Sequence, residues 1–335
     1  MVSLLPLWTF LGGLASAVAL LFLLLRHAVR LRLVSVPNSR SSHHRPTPTG
    51  GGLAFAVPVL GWCALSALPF GRTLAIGAGV LALLGLVDDA RDLRAIFKFL
   101  VQLAVVAWFV PTAWPELALW WQFAGGLCLL WFVNLFNFMD GIDGFAACQV
   151  LLYALGTLLL TGAMLDWTES LLWLLIGTNL GFLLFNWSPA RIFMGDAGAL
   201  MLGLMLPAVA VELAFTGRLP LVSSLLLFTV FVVDSTYTLL VRMITGQPFL
   251  GAHRTHLYQI LSRRVGHART CLMFMSYGLG VLLPLAWAVQ AQMLSPWLAI
   301  AAAVVPLMLV SFALGAGMQE TPVVRTDGPD MDVRL

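Results

Sequence analysis

Charged residues are scarce in this chain, and their scarcity excludes an ordinary soluble domain. Asp, Glu, Lys and Arg make up 10% of the 335 residues, whereas hydrophobic residues make up 60%. A soluble globular domain carries about 25% charged residues. Because a helix of about 20 apolar residues crosses a bilayer, the composition predicts an all-α, polytopic membrane protein.

Cysteine is also rare, and the spacing of Cys63, Cys128, Cys148 and Cys271 fits neither a disulfide framework nor a zinc site. Three sequence motifs are absent as well: there is no Walker A sequence, no Rossmann fingerprint and no HExxH. Their absence disfavours ATP-driven, dinucleotide-dependent and zinc-protease functions.

Long apolar runs are what the chain has in abundance. They predict ten or eleven spans, of which the second is short and the fourth interrupted, at residues 7–27, 53–70, 73–90, 97–113, 117–136, 145–164, 169–187, 197–216, 220–241, 269–290 and 295–315. We assign residues 1–318 to one integral-membrane domain. Residues 319–335 are assigned to a polar cytoplasmic tail.

Basic residues predict the orientation of these spans. With the N-terminus outside, all 18 Lys and Arg except Arg72 and Arg218 fall on one side, which the positive-inside rule makes cytoplasmic. The net charge of +3 is therefore a sidedness signal, and nucleic-acid binding is not expected. Six aspartates emerge on that same side, although the rule does not constrain acids: Asp88, Asp89, Asp92, Asp140, Asp143 and Asp196. These acids predict an active-site cleft on the cytoplasmic face of the domain at residues 1–318, which we therefore interpret as a catalytic domain.

The densest polar cluster, at residues 134–144, reads NLFNFMDGIDG. Asn134, Asn137 and Asp140 are spaced by three, which places neighbours together on a helix. Carboxamides and carboxylates at the end of a membrane helix indicate function. A polar loop between two spans is the alternative, but acids and glycines recur at two other membrane exits.

The other two exits carry Asp88 with Asp89, and Asp196. Neighbouring residues diverge by about 100° on a helix, so one acid of the pair is predicted to bind Mg²⁺ while the other holds a water or a second partner. A salt-bridged helix end is the alternative. Asp196 follows Gly195 at the start of the eighth span. It either caps that helix or belongs to a helix N-terminus whose amides bind phosphate.

Two cytoplasmic loops add basic residues. The first, VSVPNSRSSHHRPTPTGGG at residues 34–52, offers His44 and Arg45 to a phosphate, and its glycine amides at 50–52 are predicted to face an anion; a flexible linker is the alternative. The second contains GAHRTHLYQ, whose histidines and arginine are predicted to bind a diphosphate. Asp234, inside the ninth span, is either structural or cavity-lining.

Five ordered motifs, spread over about residues 34–260, resemble those of the polyprenyl-phosphate N-acetylhexosamine-1-phosphate transferase family. They are PNSRSSHHRPTPTGGG, GLVDDARDL, NLFNFMDGIDG, RIFMGDAGALMLG and HRTHLYQ. The resemblance implies an enzyme of the bacterial inner membrane. It would join an amino-sugar 1-phosphate from a UDP-sugar to undecaprenyl phosphate and release UMP, with Mg²⁺ as cofactor and Mn²⁺ as the alternative ion.

The resemblance also implies roles for matched residues. The expected catalytic residues are Asp88, Asp89, Asp140, Asp143 and His253. The expected metal ligands are Asp196 and Asp89. The expected substrate-binding residues are Asn134, Asn137, Asn186, Phe193, Arg254, His256, His44 and Arg45, with Asn186 and Phe193 near the uracil.

The triple-histidine loop found in the family's pentapeptide transferases is absent, because Arg254 and Thr255 follow His253. This argues against a peptide-bearing sugar and is more similar to enzymes that begin O-antigen, lipopolysaccharide or other surface glycans. The expected partners are therefore membrane lipids, undecaprenyl phosphate and a UDP-N-acetylhexosamine or its 6-deoxy form. The exact sugar, and whether the chain forms a homodimer, stay open.

We favour direct attack of the lipid phosphate on the donor, assisted by the metal, over a covalent aspartyl-phosphate step. Two other function classes remain. A transporter would gather its polar residues near the bilayer midplane, whereas a glycosyltransferase with a lipid-borne donor would have an outward-facing site.

Overall fold

The structure is a computed structural model that describes residues 4–35, 46–163, 166–248 and 253–318. Within these ranges it is almost entirely helical, apart from one antiparallel pairing of β1 (Val34–Ser35) with β2 (Thr47–Pro48). The predicted all-α, polytopic fold is confirmed. His44, Arg45 and the predicted tail lie outside the described residues.

The helices follow one another with short connections. In chain order they are α1 (Leu5–His27), α2 (Leu53–Ala64), α3 (Pro69–Arg91), α4 (Ala95–Ala113), α5 (Leu119–Met139), α6 (Phe145–Thr161), α7 (Trp167–Asn186), α8 (Gly195–Phe215), α9 (Leu221–Leu227), α10 (Thr229–Ile244), α11 (Leu257–Val265), α12 (His267–Tyr277), α13 (Leu283–Gln290) and α14 (Pro296–Ala313). A π-helical turn (Gly278–Leu282) joins α12 to α13 into one continuous segment.

Eight of the described helical segments are long and apolar enough to cross a membrane, and α9 with α10 forms a ninth if a bent pair counts as one span. Helices α2 and α6, with 12 and 17 residues, are shorter apolar helices at the positions of the second and sixth predicted spans. Each of the eleven predicted spans therefore corresponds to a helix or a helix pair. The fourth, predicted to be interrupted, is the continuous helix α4.

The sharp bend between α9 and α10 was not predicted. The two helices meet at 71° on either side of Phe228. Next to the bend, the Thr229 hydroxyl donates to the Leu226 carbonyl at 2.7 Å. Such a local side-chain bond competes with the regular helical ladder, which no apolar pattern reveals.

Helix α8 lies at the centre of the protein and is buried along most of its length. Glycines let its neighbours approach closely. A Cβ at Gly85 of α3 would overlap the backbone of Asp196 at the start of α8, and one at Gly203 of α8 would overlap that of Val133 in α5. The end of α3 and the start of α8 therefore meet, while α5 packs along α8, and the three acidic exits are brought together.

Candidate active site

The three acidic exits share one cavity of about 320 Å³. Its walls come from the ends of α3, α5 and α7, the start of α8, and nearby residues, including Gln259 of α11. Seven predicted site residues line it: Asp89, Asn137, Asp140, Asp143, Asn186, Phe193 and Asp196. The structure thus groups these residues as expected, and their individual chemical roles stay predictions.

A hydrogen-bonded chain of polar side chains runs through Asp196. Its Oδ1 accepts from Asn137 Nδ2 at 2.8 Å, and its Oδ2 lies 3.4 Å from Lys98 Nζ. Lys98 in turn lies 2.6 Å from Asp88 Oδ2, and Asp88 Oδ1 accepts the amide of Leu93 at 2.7 Å. The sequence offered Lys98 only as part of a charged helix end, so its place between two predicted site acids was missed. We call Asp88, Lys98, Asp196 and Asn137 the polar chain.

Asp89 caps the start of α8. Its carboxylate accepts the amides of Asp196 and Ala197 at 3.1 and 3.3 Å. Gly195, with φ +75°, makes room, since a Cβ there would collide with that carboxylate. The prediction that these amides bind a substrate phosphate is wrong, because Asp89 already occupies the place of the anion. Metal ligation by Asp89 stays a prediction.

Asp140 shares the cavity with three other carboxyl groups, those of Asp89, Asp143 and Asp196. Burial, followed by the charges of Asp196, Asp89 and Asp143, raises the pKa of this carboxyl well above its usual value. A divalent cation would relieve that repulsion. No three His, Cys, Asp or Glu side chains in the described ranges form a ready-made metal cage. Mg²⁺, however, usually takes one or two carboxylates together with waters and substrate phosphates. Asp196 and Asp140 line the same cavity and offer that number of carboxylates, and Mg²⁺ binding stays a prediction.

Asn186 joins the two loops that border the cavity. Its Oδ1 accepts the amide of Gly144 at 2.8 Å, and its Nδ2 donates to the carbonyl of Ile192 at 2.8 Å. Gly144 has φ +78°, which favours glycine. Asn186 therefore holds the loop before Phe193 against the loop after α5, and Phe193 lines the cavity.

The glycines at residues 50–52 hold the backbone of Phe193 from the other side. The amides of Gly51 and Gly52 donate to the carbonyls of Phe193 and Met194, both at 2.8 Å. The prediction that these amides face an anion is wrong, since they are already bonded to carbonyls. A Cβ on Gly52 would overlap Gly198 of α8, so a glycine is needed there for close backbone approach.

Asp143 is paired with a histidine that the sequence analysis did not single out. Its Oδ2 lies 3.2 Å from His267 Nδ1 and accepts the amide of Ala190 at 3.2 Å. Burial raises the pKa of Asp143, but the bonds from His267 and Ala190 outweigh burial and lower it. His267 lies eleven residues beyond His256, so proximity in sequence gave no signal for it.

The predicted diphosphate cluster lies elsewhere. His256 is buried, with its Nδ1 3.3 Å from Asp234 Oδ1, and Asp234 also accepts the amides of Leu257 and Tyr258 at 2.8 and 2.9 Å. Asp234 is therefore structural and caps α11. The ring of His253 stacks on His256 at 4.9 Å.

Five predicted site residues in the described part of the chain do not line the cavity: Asp88, His253, Arg254, His256 and Asn134. Asp88 is linked to the cavity residue Asp196 through Lys98. Asn134 instead donates to Gln102 Oε1 at 2.9 Å and ties α5 to α4. The spacing of three placed Asn134 on the helix face of Asn137, but one further turn takes it below the cavity and into contact with α4.

Comparison with known proteins bears directly on this site. The family described as glycosyl transferase family 4 matches residues 72–214, a region that contains all three acidic exits. This match assigns residues 72–214 to glycosyl transferase family 4. This assignment supports a phosphosugar transferase rather than a transporter.

Individual relatives in this family carry specific names. The chain is 27% identical to a probable undecaprenyl-phosphate N-acetylglucosaminyl 1-phosphate transferase of Bacillus subtilis, over 80% of this chain and 81% of the relative. It is 28% identical to a decaprenyl-phosphate N-acetylglucosaminephosphotransferase of Mycolicibacterium smegmatis, over 75% and 73%. An undecaprenyl-phosphate alpha-N-acetylglucosaminyl 1-phosphate transferase of Thermotoga maritima is 28% identical over 75% and 80%.

Proposed function

We propose that this chain transfers an N-acetylated amino-sugar 1-phosphate from a UDP-sugar to undecaprenyl phosphate and releases UMP. The observation that carries the proposal is the polar chain, of which Asp196 and Asn137 line one cavity together with Asp140, Asp143 and Phe193. Clustered carboxylates are the ligands expected for the metal ion of a metal-bound diphosphate, and an aromatic ring is the partner expected for a stacked nucleotide base. The names of the relatives support the same reaction.

Each residue of the site has a defined task in this proposal. Mg²⁺, when bound by Asp196 and Asp140, would neutralise the donor diphosphate. Asn137 orients Asp196 through the 2.8 Å bond, and Asp88 holds Lys98 so that its ammonium group faces the phosphates. An oxygen of the lipid phosphate then attacks the phosphorus next to the sugar, and UMP leaves with the electrons of the broken P–O bond. Positioning and electrostatics supply most of such catalysis.

A second, apolar cavity supports a lipid acceptor. It measures about 550 Å³ and lies between α4, α5, α8, α9, α10 and α14, with Trp131, Phe132 and Pro207 in its wall. Helix α5 contributes to both cavities, since Asn137 lines the polar one. Phe132 in the wall of the apolar cavity and Asn137 in the wall of the polar one are five residues apart on α5, which is about 7.5 Å along a helix. An isoprenoid chain in the apolar cavity would therefore bring its phosphate towards the polar chain.

We further propose that the site faces the cytoplasm of a bacterial inner membrane and begins O-antigen, lipopolysaccharide or another surface glycan. The basic residues support this orientation. The HRTH sequence in place of three successive histidines supports a donor without a peptide, either a UDP-N-acetylhexosamine or its 6-deoxy form.

A panel of UDP-sugars tests the proposal. The purified full-length chain is incubated with Mg²⁺ and undecaprenyl phosphate in detergent micelles, and UMP is measured for each donor. We expect UMP release from at least one UDP-N-acetylhexosamine, dependent on the lipid. Absence of UMP with every donor contradicts the proposal, and uptake of intact UDP-sugar by sealed vesicles would favour a transporter.

A further inference from the structure

Two side chains of α12, one turn apart, hold Asp143. His267 Nδ1 lies 3.2 Å from the Asp143 carboxylate and 3.3 Å from its backbone nitrogen. One turn later, the Cys271 thiol donates to the Asp143 carbonyl at 3.3 Å. Both His267 and Asp143 line the cavity, and their side chains are 20% and 12% exposed. The position of this carboxylate therefore depends on α12 as well as on its own loop.

The protonation of the pair follows from the chemistry of its partners. The lowered pKa of Asp143 leaves it ionised and able only to accept hydrogen bonds. His267 Nδ1 must then carry a proton and donate it to Oδ2, so it does not accept a hydrogen bond from the Asp143 backbone N–H at 3.3 Å. A histidine whose nitrogen is fixed by a carboxylate has a fixed ring orientation.

The Asp143 carboxylate can accept one more hydrogen bond than the protein donates to it. A carboxylate offers roughly four lone-pair sites. The protein fills three of them through the Ala190 amide, His267 Nδ1 and the Ser188 side chain. The remaining site is available to a ligand in the cavity whose wall also includes Phe193.

We propose that His267 is a positioning residue that orients Asp143 to accept the imide N–H of a uracil base. The inference rests on the proposed function, which supplies a uridine nucleotide. Uracil carries one N–H between two carbonyls, so a carboxylate accepts its proton. Cytosine has an unprotonated nitrogen at that place, and its lone pair would face the carboxylate. Misorienting Asp143 should therefore weaken nucleotide binding and relax the preference for uracil.

A double-mutant cycle tests this role in the full-length, detergent-solubilised chain. UMP and CMP dissociation constants are measured for wild type, His267→Ala, Asp143→Asn and the double variant. We expect His267→Ala to weaken UMP on the order of tenfold, as for a lost bond to a charged group, and to leave CMP almost unchanged. In the Asp143→Asn background, the same substitution should have no further effect, because the two residues act as one unit.

Two conservative variants separate positioning from general packing. The amide nitrogen of an asparagine at 267 can reach the place of Nδ1, whereas that of a glutamine reaches the place of Nε2. His267→Asn should therefore retain UMP affinity, and His267→Gln should lose it on the order of tenfold. This comparison also serves if His267→Ala fails to fold, as judged by thermal unfolding.

Several outcomes overturn the inference. They are additive effects in the cycle, equal UMP affinity for the Asn and Gln variants, and a fall in kcat with unchanged KM for the UDP-sugar. Failure of the wild-type chain to bind UMP is a different result, because it removes the proposed function together with the inference.

Discussion

Lys98 should compete with the metal for Asp196. In the structure it is the cation between Asp88 and Asp196, at 2.6 and 3.4 Å. Replacing it with glutamine keeps a side chain of similar length but removes the charge. We expect Lys98→Gln to bind Mg²⁺ more tightly and, at the same time, to raise the KM for the UDP-sugar, since the donor phosphates lose a cation.

The separation of the two charges sets the size of the effect. Coulomb's law gives about 1.2 kcal/mol at 3.4 Å in water and about 5 kcal/mol at an effective dielectric constant of 20. The Lys98 and Asp196 side chains are 25% and 26% exposed, so solvent screens the pair. We therefore use the lower value, which corresponds to a fall of about eightfold in the half-saturating Mg²⁺ concentration.

Mg²⁺ titrations of UMP release at saturating donor and lipid measure this shift. Arg94→Gln is the matched control, because it removes one positive charge from the exposed N-cap of the same helix α4. The control should change the half-saturating Mg²⁺ concentration by less than about twofold, as expected for a screened surface charge. An unchanged or higher half-saturating concentration in Lys98→Gln would refute competition for Asp196.

Three further predictions concern the same cavity. Asp196→Asn should lower transfer by at least roughly a hundredfold, as for a lost charge-stabilising group, while membrane insertion stays intact; wild-type turnover in the variant, or in excess EDTA, would contradict this. Phe193→Ala should weaken both UDP-sugar and UMP by ~1–3 kcal/mol if the ring stacks on uracil, and an unchanged inhibition constant for UMP would exclude the contact. Asp140 has a raised pKa, so it gains its proton at a higher pH than an ordinary carboxyl. Because Mg²⁺ lowers that pKa, the acid limb of the activity profile should move to lower pH as Mg²⁺ rises, and Asp140→Asn should abolish the movement.

Much of the fold could be predicted from the sequence, because the bilayer demands long apolar helices. Apolar runs located all eight or nine described segments that are long enough to cross a membrane, but they also predicted spans at the shorter helices α2 and α6. The recurring acids located the membrane exits. The 71° bend at Phe228 escaped prediction, since it depends on tertiary packing and on a local bond from Thr229.

The sequence predicted which types of residue form the candidate site, but not which other residues they contact. Asp89 bonds amides 107 and 108 residues away, and the carboxylate of Asp143 pairs with His267, 124 residues away. No local pattern encodes such contacts. His256 was misjudged for the same reason, because its buried partner Asp234 lies on another helix.

The most direct measurement follows the donor phosphate. The full-length chain is incubated with UDP-N-acetylglucosamine labelled with ³²P at the sugar-proximal phosphate, with and without undecaprenyl phosphate and Mg²⁺. Direct transfer in the cavity predicts label in the lipid phase together with equimolar UMP, only when lipid and Mg²⁺ are both present, and no label on the protein. Label bound to the protein in the absence of lipid would contradict direct attack, and the absence of labelled lipid for every UDP-N-acetylhexosamine donor would contradict the proposed function itself.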